Sequence, residues 1–261
     1  KLPLSPDPCG KVNYGLLSNQ EERVGVAKID WQKSDKNSMF LRLNVQNLEL
    51  ASTYNGSNLL TLNTNGANDR VYSAAYGDTY LIGANIVSSF RTSASRTELP
   101  KIVDQNVGSW ASFGVAANSF AAPLINVSVT GNGFTAGTGN SIVNIANTGP
   151  NANVGEDVSW IRNNHQMGFG VSYIHTLMNY LSGVNATGNM AFNGTVSGIG
   201  LADFLIGQAS SWKQGNMSVF YNRQNYVGLY AQDSWKITQR LTVNYGVRWE
   251  PYLPITGKYG W

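Results

Sequence analysis

The side chains best suited to chemistry are few in this sequence, and their spacing argues against catalysis. His165 and His175 are the only histidines and stand ten residues apart. That spacing does not bring two imidazoles to one helix face, as a zinc pair needs; both read as solvated or interface histidines on one strand. Cys9 is the single cysteine, near a start containing Pro3, Pro6 and Pro8, with no disulfide partner and no metal-ligand spacing around it. Gly131-Asn132-Gly133 and Gly137-Thr138-Gly139 have the glycine content of a phosphate-cradling loop. No Gly-Lys-Ser/Thr follows, however, and no strand-to-helix transition surrounds them; they are expected to be flexible loop. Gly168-Phe169-Gly170 sits inside a strand pattern, where it marks close strand approach or a bend. Glu156-Asp157, at a loop edge before Trp160, takes a turn or cation-facing role. Hydroxyl nucleophiles need a base in reach, and no Gly-x-Ser-x-Gly elbow occurs. These residues predict no enzyme, no metal and no cofactor.

The elements that carry them are strands. From Ser38 to Gln46 the odd positions Met39, Leu41, Leu43 and Val45 are apolar, while Arg42, Asn44 and Gln46 among the even ones are polar. Leu241, Val243, Tyr245, Val247 and Trp249 alternate in the same way with Thr242, Asn244, Gly246, Arg248 and Glu250. Period-2 alternation gives a strand one greasy and one wet face. A run of about ten residues matches a tilted transmembrane strand, against about five or six in soluble proteins. Val24 to Gln32 leads through 33–37 into the first strand, and Tyr226 to Lys236 leads through 237–240 into the second. Each hairpin has a Trp before its turn (Trp31, Trp235) and a cation inside it (Lys36, Arg240), which suits the short-turn end of a membrane hairpin. Further strands are predicted over Arg70 to Leu81, Ala84 to Thr97 and Gln166 to Leu177, with Tyr72, Tyr76 and Tyr80 as girdle residues. Between them, 47–68 and 116–155 read as long loops, with a short strand at Leu124 to Val129. Gly200 to Gly207 reads as a helical turn in another loop.

Composition agrees. Charged residues make up 13% of the 261, about half the soluble average, yet mean hydropathy is only −0.20. Lipid-facing apolar rows backed by small polar lumen residues give this combination. The net charge of +3 is dispersed, without a Lys/Arg run, which excludes nucleic acid as a partner. No run of about 18 apolar residues exists to form a membrane helix. Lys1 to Pro6 lacks the apolar core of a signal peptide, so an exported protein is expected to be represented here by part of its chain. The expected fold class is all-β, an antiparallel transmembrane β-barrel wall: a partial barrel with long extracellular loops and short periplasmic turns.

Three segments carry a family resemblance: Gly200-Leu201-Ala202-Asp203-Phe204-Leu205-Ile206-Gly207-Gln208, Tyr226 to Thr238, and Leu241 to Pro251. With Val158 to Gly170 and Ala27 to Trp31, they resemble the barrel of Oar-like TonB-dependent receptors of Gram-negative bacteria. The resemblance runs from about Val24 to Pro251. It implies a large outer-membrane barrel of about 22 strands, plugged by an N-terminal domain and driven by TonB and the proton-motive force. On that reading residues 1–261 are part of the barrel domain, supplying eight to ten strands, with the plug and N-terminal domains absent from this chain. The implied function is uptake of a solute of unknown identity. The implied partners are outer-membrane lipid, the solute, and the TonB complex acting through the missing N-terminal region. Arg42, Asn44, Arg248 and Glu250 are predicted to face the lumen or plug. Leu41, Leu43, Val243 and Val247 are predicted to face lipid, and Trp31, Trp235 and Trp249 to sit at the interfaces. The competing expectations are a secreted structural or adhesive β-protein without transport activity, and a passive porin.

Overall fold

The computed structural model describes residues 3–63, 65–102, 107–117, 124–131, 133–137 and 145–259, with 145–148 described as backbone. Along the chain run β1 (Gln20–Ser34), β2 (Asn37–Leu50), β3 (Gly66–Ile82), β4 (Ile86–Leu99), β5 (Lys101–Ile102), β6 (Val127–Val129), β7 (Thr135–Ala136), β8 (Ile145–Arg162) and β9 (His165–Ser182). They are followed by β10 (Asn189–Phe192), the helix α1 (Gly200–Leu205), β11 (Ser211–Lys213), β12 (Ser218–Thr238), β13 (Leu241–Trp249) and β14 (Thr256–Gly257).

Eight long strands form one antiparallel up-and-down wall in the order β1-β2-β3-β4-β8-β9-β12-β13, with β5 beside β3 and β14 beside β12. The wall is open in this chain, with β1 and β13 at its edges. Most of its strands outrun the ten residues read from the sequence. β12 has 21 residues, about 70 Å at about 3.3 Å per residue, so even tilted it extends past a hydrocarbon layer of about 30 Å.

Four tight turns gather at one end: Asp35-Lys36, Gly83 to Asn85, Asn163-Asn164 and Gln239-Arg240. Asn163 takes φ 53°, the left-handed conformation that asparagine tolerates and tight hairpins require. The predicted five- and four-residue turns shrink because strand pairing continues through Ser34 and Thr238. Each of these hairpins slips register by one residue just before its turn, between Gln32 and Ser34 and between Lys236 and Thr238. Such a bulge re-aims the chain into the turn. Where β13 ends, Pro251 and Pro254 have no N–H for the ladder, and pairing to β12 resumes only at Thr256.

The described parts of the long connections, within 51–65, 100–144 and 183–217, lie at the opposite end. Of the expected loops, 51–65 stays irregular apart from one short helical turn at Leu59–Thr61, whereas the other two connections carry strands. β11, β10, β6 and β7 form a second sheet in that order. Around it the chain buries Trp110, Leu124, Ile125, Val127, Val129 and Phe192. The molecule's hydrophobic core therefore lies in this cap and not in the wall. The loop predicted over 116–155 also ends earlier than expected, because β8 begins at Ile145. Its first half, with Asn147, Gly149, Pro150 and Asn151, has loop-like composition. It nevertheless pairs with β4 and β9, around an irregularity between Thr148 and Ala152 that accommodates Pro150.

Candidate functional site

Residues directly opposite on antiparallel strands point to the same side of the sheet, so the register divides the wall into two faces. Arg42 lies between Lys28 and Ala75, and Asn44 between Val26 and Ser73. Farther along the same face come Ser93, Asn153, Gly155, Asp157, Ser172, Tyr230, Gln232, Asn244 and Arg248. The other face carries Leu41 beside Ile29 and Tyr76, Leu43 beside Ala27 and Ala74, and Val45 beside Tyr72. It continues through Val154, Val171 and Leu229 to Val243 opposite Trp235, Val247 opposite Ala231 and Trp249 opposite Leu229.

The apolar rows are not packed inside anything. Leu41, Leu43 and Val45 are 42%, 45% and 49% exposed, and Val247 and Trp249 are 69% and 57% exposed. Soluble proteins do not leave contiguous apolar faces of this extent in water. Trp31 and Trp235 each stand four residues before a tight turn, opposite Met39 and Val243. Trp249 is eight residues beyond Leu241, about 26 Å farther along the strand at about 3.3 Å per residue.

The polar face carries a linked set of side chains. Tyr230 donates its hydroxyl to Asp157 Oδ1 at 2.7 Å. Arg248 Nη2 donates to the Tyr226 hydroxyl at 3.1 Å, and both Arg248 and Tyr226 donate to Glu250 Oε1. Asn44 donates to Ser73 Oγ at 3.0 Å and accepts from Arg42 Nε at 3.2 Å. Phe40 lies on this face between Lys28 Nζ, 5.6 Å from the ring centre, and Arg91 Cζ, 5.9 Å away. Glycines make room for the larger side chains: a Cβ at Gly77 meets the Phe40 ring, and one at Gly170 meets both Tyr230 and Asp157. A groove of about 420 Å³ runs past Phe40, Arg91, Asp157, Ser172, Tyr230 and Arg248. Its lining carries two cations, Arg91 and Arg248, and one carboxylate, Asp157, as suits a hydrated surface.

The family model of the outer membrane beta barrel domain matches residues 2–260. The chain belongs to the outer membrane beta barrel domain family. The barrel domain is also similar in fold to the outer membrane transporter YddB from Escherichia coli, with TM-score 0.54 and 13% identity. The likeness covers 96% of this chain and 30% of that one, so the chain spans about a third of that transporter's length. No curated protein matches it.

In the barrel domain the tight turns are the periplasmic end and the cap is the extracellular end. His165 lies at the periplasmic end, its Nδ1 2.6 Å from Asp233 Oδ2 and its ring stacked on Trp235 at 5.3 Å. His175 lies farther up, 2.7 Å from Asn225 Oδ1. The two histidines share a face without meeting. Glu156 and Asp157 are not at a loop edge but within β8, on opposite faces; Glu156 accepts from Ser88 Oγ. Gly131 and Gly133 lie within the connection between the paired strands β6 and β7, where Gly133 packs against Val129 and Gly131 has open space around it. Gly137 lies against Asn126, whereas Thr138 and Gly139 lie outside the described residues.

The cap has its own buried charge. Asp203 on α1 is fully buried. It accepts N–H groups from Ser197 at 2.8 Å and Val196 at 3.2 Å, fastening the turn before the helix. Hydrogen bonding from Ser197 comes first in holding this carboxyl below its usual range. Burial opposes it, and the N–H groups of Ser197, Val196 and Gly194 reinforce it. The sequence reading passed over both Asp203 and the Asp157–Tyr230 pair. Asp203 could have been found as a carboxylate inside an otherwise apolar helical turn. The pair could have been found from Gly170, whose missing side chain leaves space for a neighbour's ring.

Proposed function

We propose that this barrel domain is wall and extracellular loops of a TonB-dependent transporter that takes up a solute across the outer membrane. The two-sidedness of the wall is the observation that carries this reading. An exposed apolar row suits acyl chains, and the row behind it keeps charges solvated and hydrogen-bonded. On this reading Leu41, Leu43, Val243 and Val247 face lipid, and Arg42, Asn44, Arg248 and Glu250 face the lumen. Trp31 and Trp235 anchor the periplasmic interface, and Trp249 the outer one. The solute first meets the folded cap. The TonB complex acts through a region beyond this chain, pulling on a plug that the polar face surrounds. The likeness to an outer membrane transporter supports the fold on which this mechanism operates.

The test uses cells that make the intact protein, with the solute identified by comparing medium depletion between those cells and a deletion strain. Accumulation should collapse when the proton-motive force is dissipated and again when TonB is removed. Accumulation that survives both treatments contradicts an energised gate and leaves a passive barrel.

A further inference from the structure

The cap holds a partly open pocket of about 450 Å³ whose walls include Trp110, Ile125, Phe134, Met190, Phe192 and Phe204. Among the described residues no charged side chain lines it. The side-chain N–H among its walls, Trp110 Nε1, is already committed to Thr187 O at 2.6 Å. The rings meet edge to face: Phe134 and Phe192 stand 5.1 and 5.2 Å from Phe204 at 87° and 89°, and Trp110 meets Trp212 at 5.1 Å and 77°. Such an arrangement offers an inserted ring both edges and faces to pack against. Well-packed interiors keep few voids larger than a water molecule, so a space of this size is not a packing fault. It falls in the range of ligand pockets, about 300–1,000 Å³.

We propose that this cavity binds an uncharged small molecule, or the uncharged portion of one, that carries an aromatic or fused-ring hydrocarbon group. A charged or hydroxyl-rich ligand would bury polar groups with nothing to pair them, which costs more than the burial returns. An apolar lining of this kind favours hydrocarbon rings over water. At about 30 Å³ for each water-sized unit, the pocket holds on the order of 15 non-hydrogen atoms. Because it lies in the extracellular cap, the inference deepens the transport reading by naming the class of solute. The binding itself needs neither TonB nor energy.

The test titrates 5-fluoroindole, a neutral fused ring, into the intact protein in lipid nanodiscs and follows the fluorine signal by NMR. Saturable binding is expected above the linear background of partition into lipid. Val115→Phe, which fills the cavity from its wall, should weaken binding at least tenfold, whereas Val243→Phe on the apolar face of the wall should leave it unchanged. The charged analogue 5-fluoroindole-3-carboxylate should bind at least tenfold more weakly than the neutral probe. Near-UV circular dichroism from the Trp110–Trp212 pair reports that the cap is folded. If Val115→Phe disturbs that signal, Ala136→Leu fills the same cavity from β7 instead. Partition alone, or equal affinity in a folded filled variant, overturns the proposal. Solute uptake that survives loss of the proton-motive force sinks the energised gate and leaves this binding result as it stands.

Discussion

Leu43 and Asn44 are neighbours in the chain with opposite surroundings. Leu43 projects between Ala27 and Ala74 on the apolar face, while Asn44 bonds Ser73 on the other. Leu43 is six residues beyond Asn37, the first residue of β2, about 20 Å along the strand. At a tilt of about 45° that places it near the bilayer midplane. Leu43→Arg in the intact protein should therefore cost about 2–4 kcal/mol, read as a shift in urea midpoint during folding into lipid vesicles. Asn44→Arg should shift it far less. At Gly170 a side chain collides with Tyr230 and Asp157. Gly170→Val should force that pair apart and cost about 1–3 kcal/mol by overpacking, while the smaller Gly170→Ala should cost less in the same titration. The alternation that assigns Leu43 and Asn44 to opposite faces was legible in the sequence, because it is a property of one strand. The Tyr230–Asp157 contact was not, since β8 meets β12 only through β9 and no local pattern records that register.

At the scale of elements, the long strands of the wall were readable where alternation is clean. They were least readable in β8, where Asn, Gly and Pro occupy positions that pairing to β4 and β9 holds extended. The cap was almost invisible. Its residues are scattered over three connections, and only the Val127–Val129 strand and the Gly200–Leu205 helix had local signals. A separately packed cap should respond separately. Phe192→Ala removes a buried ring at its centre and should cost about 3–5 kcal/mol locally. Hydrogen exchange should then show faster opening of the 189–213 backbone, with the wall strands unchanged. Asp203 gives the cap a pH dependence whose sign is fixed. Its folded-state carboxyl lies below the usual value, so its contribution is present above the ordinary carboxylate range and is lost as pH falls through the folded value. The Trp110–Trp212 circular dichroism signal should weaken on acidification, and Asp203→Asn should weaken it already at neutral pH and flatten the titration.

For the whole molecule, the wall and the cap follow opposite rules of burial. The wall exposes its apolar rows, whereas the cap buries a core of its own beneath a surface on which Val196, Ile199, Leu205 and Ile206 stay exposed. A single solvent cannot satisfy both, whereas a bilayer around the wall with water above it satisfies each. The unpaired edges of β1 and β13 follow the same logic, because open edges recruit other strands. This chain alone in detergent-free buffer should accordingly associate, as sedimentation will read. The central claim is tested most directly by spin labels placed one at a time from Met39 to Gln46 in the intact protein in its membrane. Labels at positions 39, 41, 43 and 45 should collide preferentially with lipid-soluble oxygen, and labels at 40, 42, 44 and 46 with a water-soluble nickel chelate, the two profiles alternating out of phase. Odd-numbered labels that are immobile and shielded from both reagents would contradict the account, because they would place that row inside a compact core.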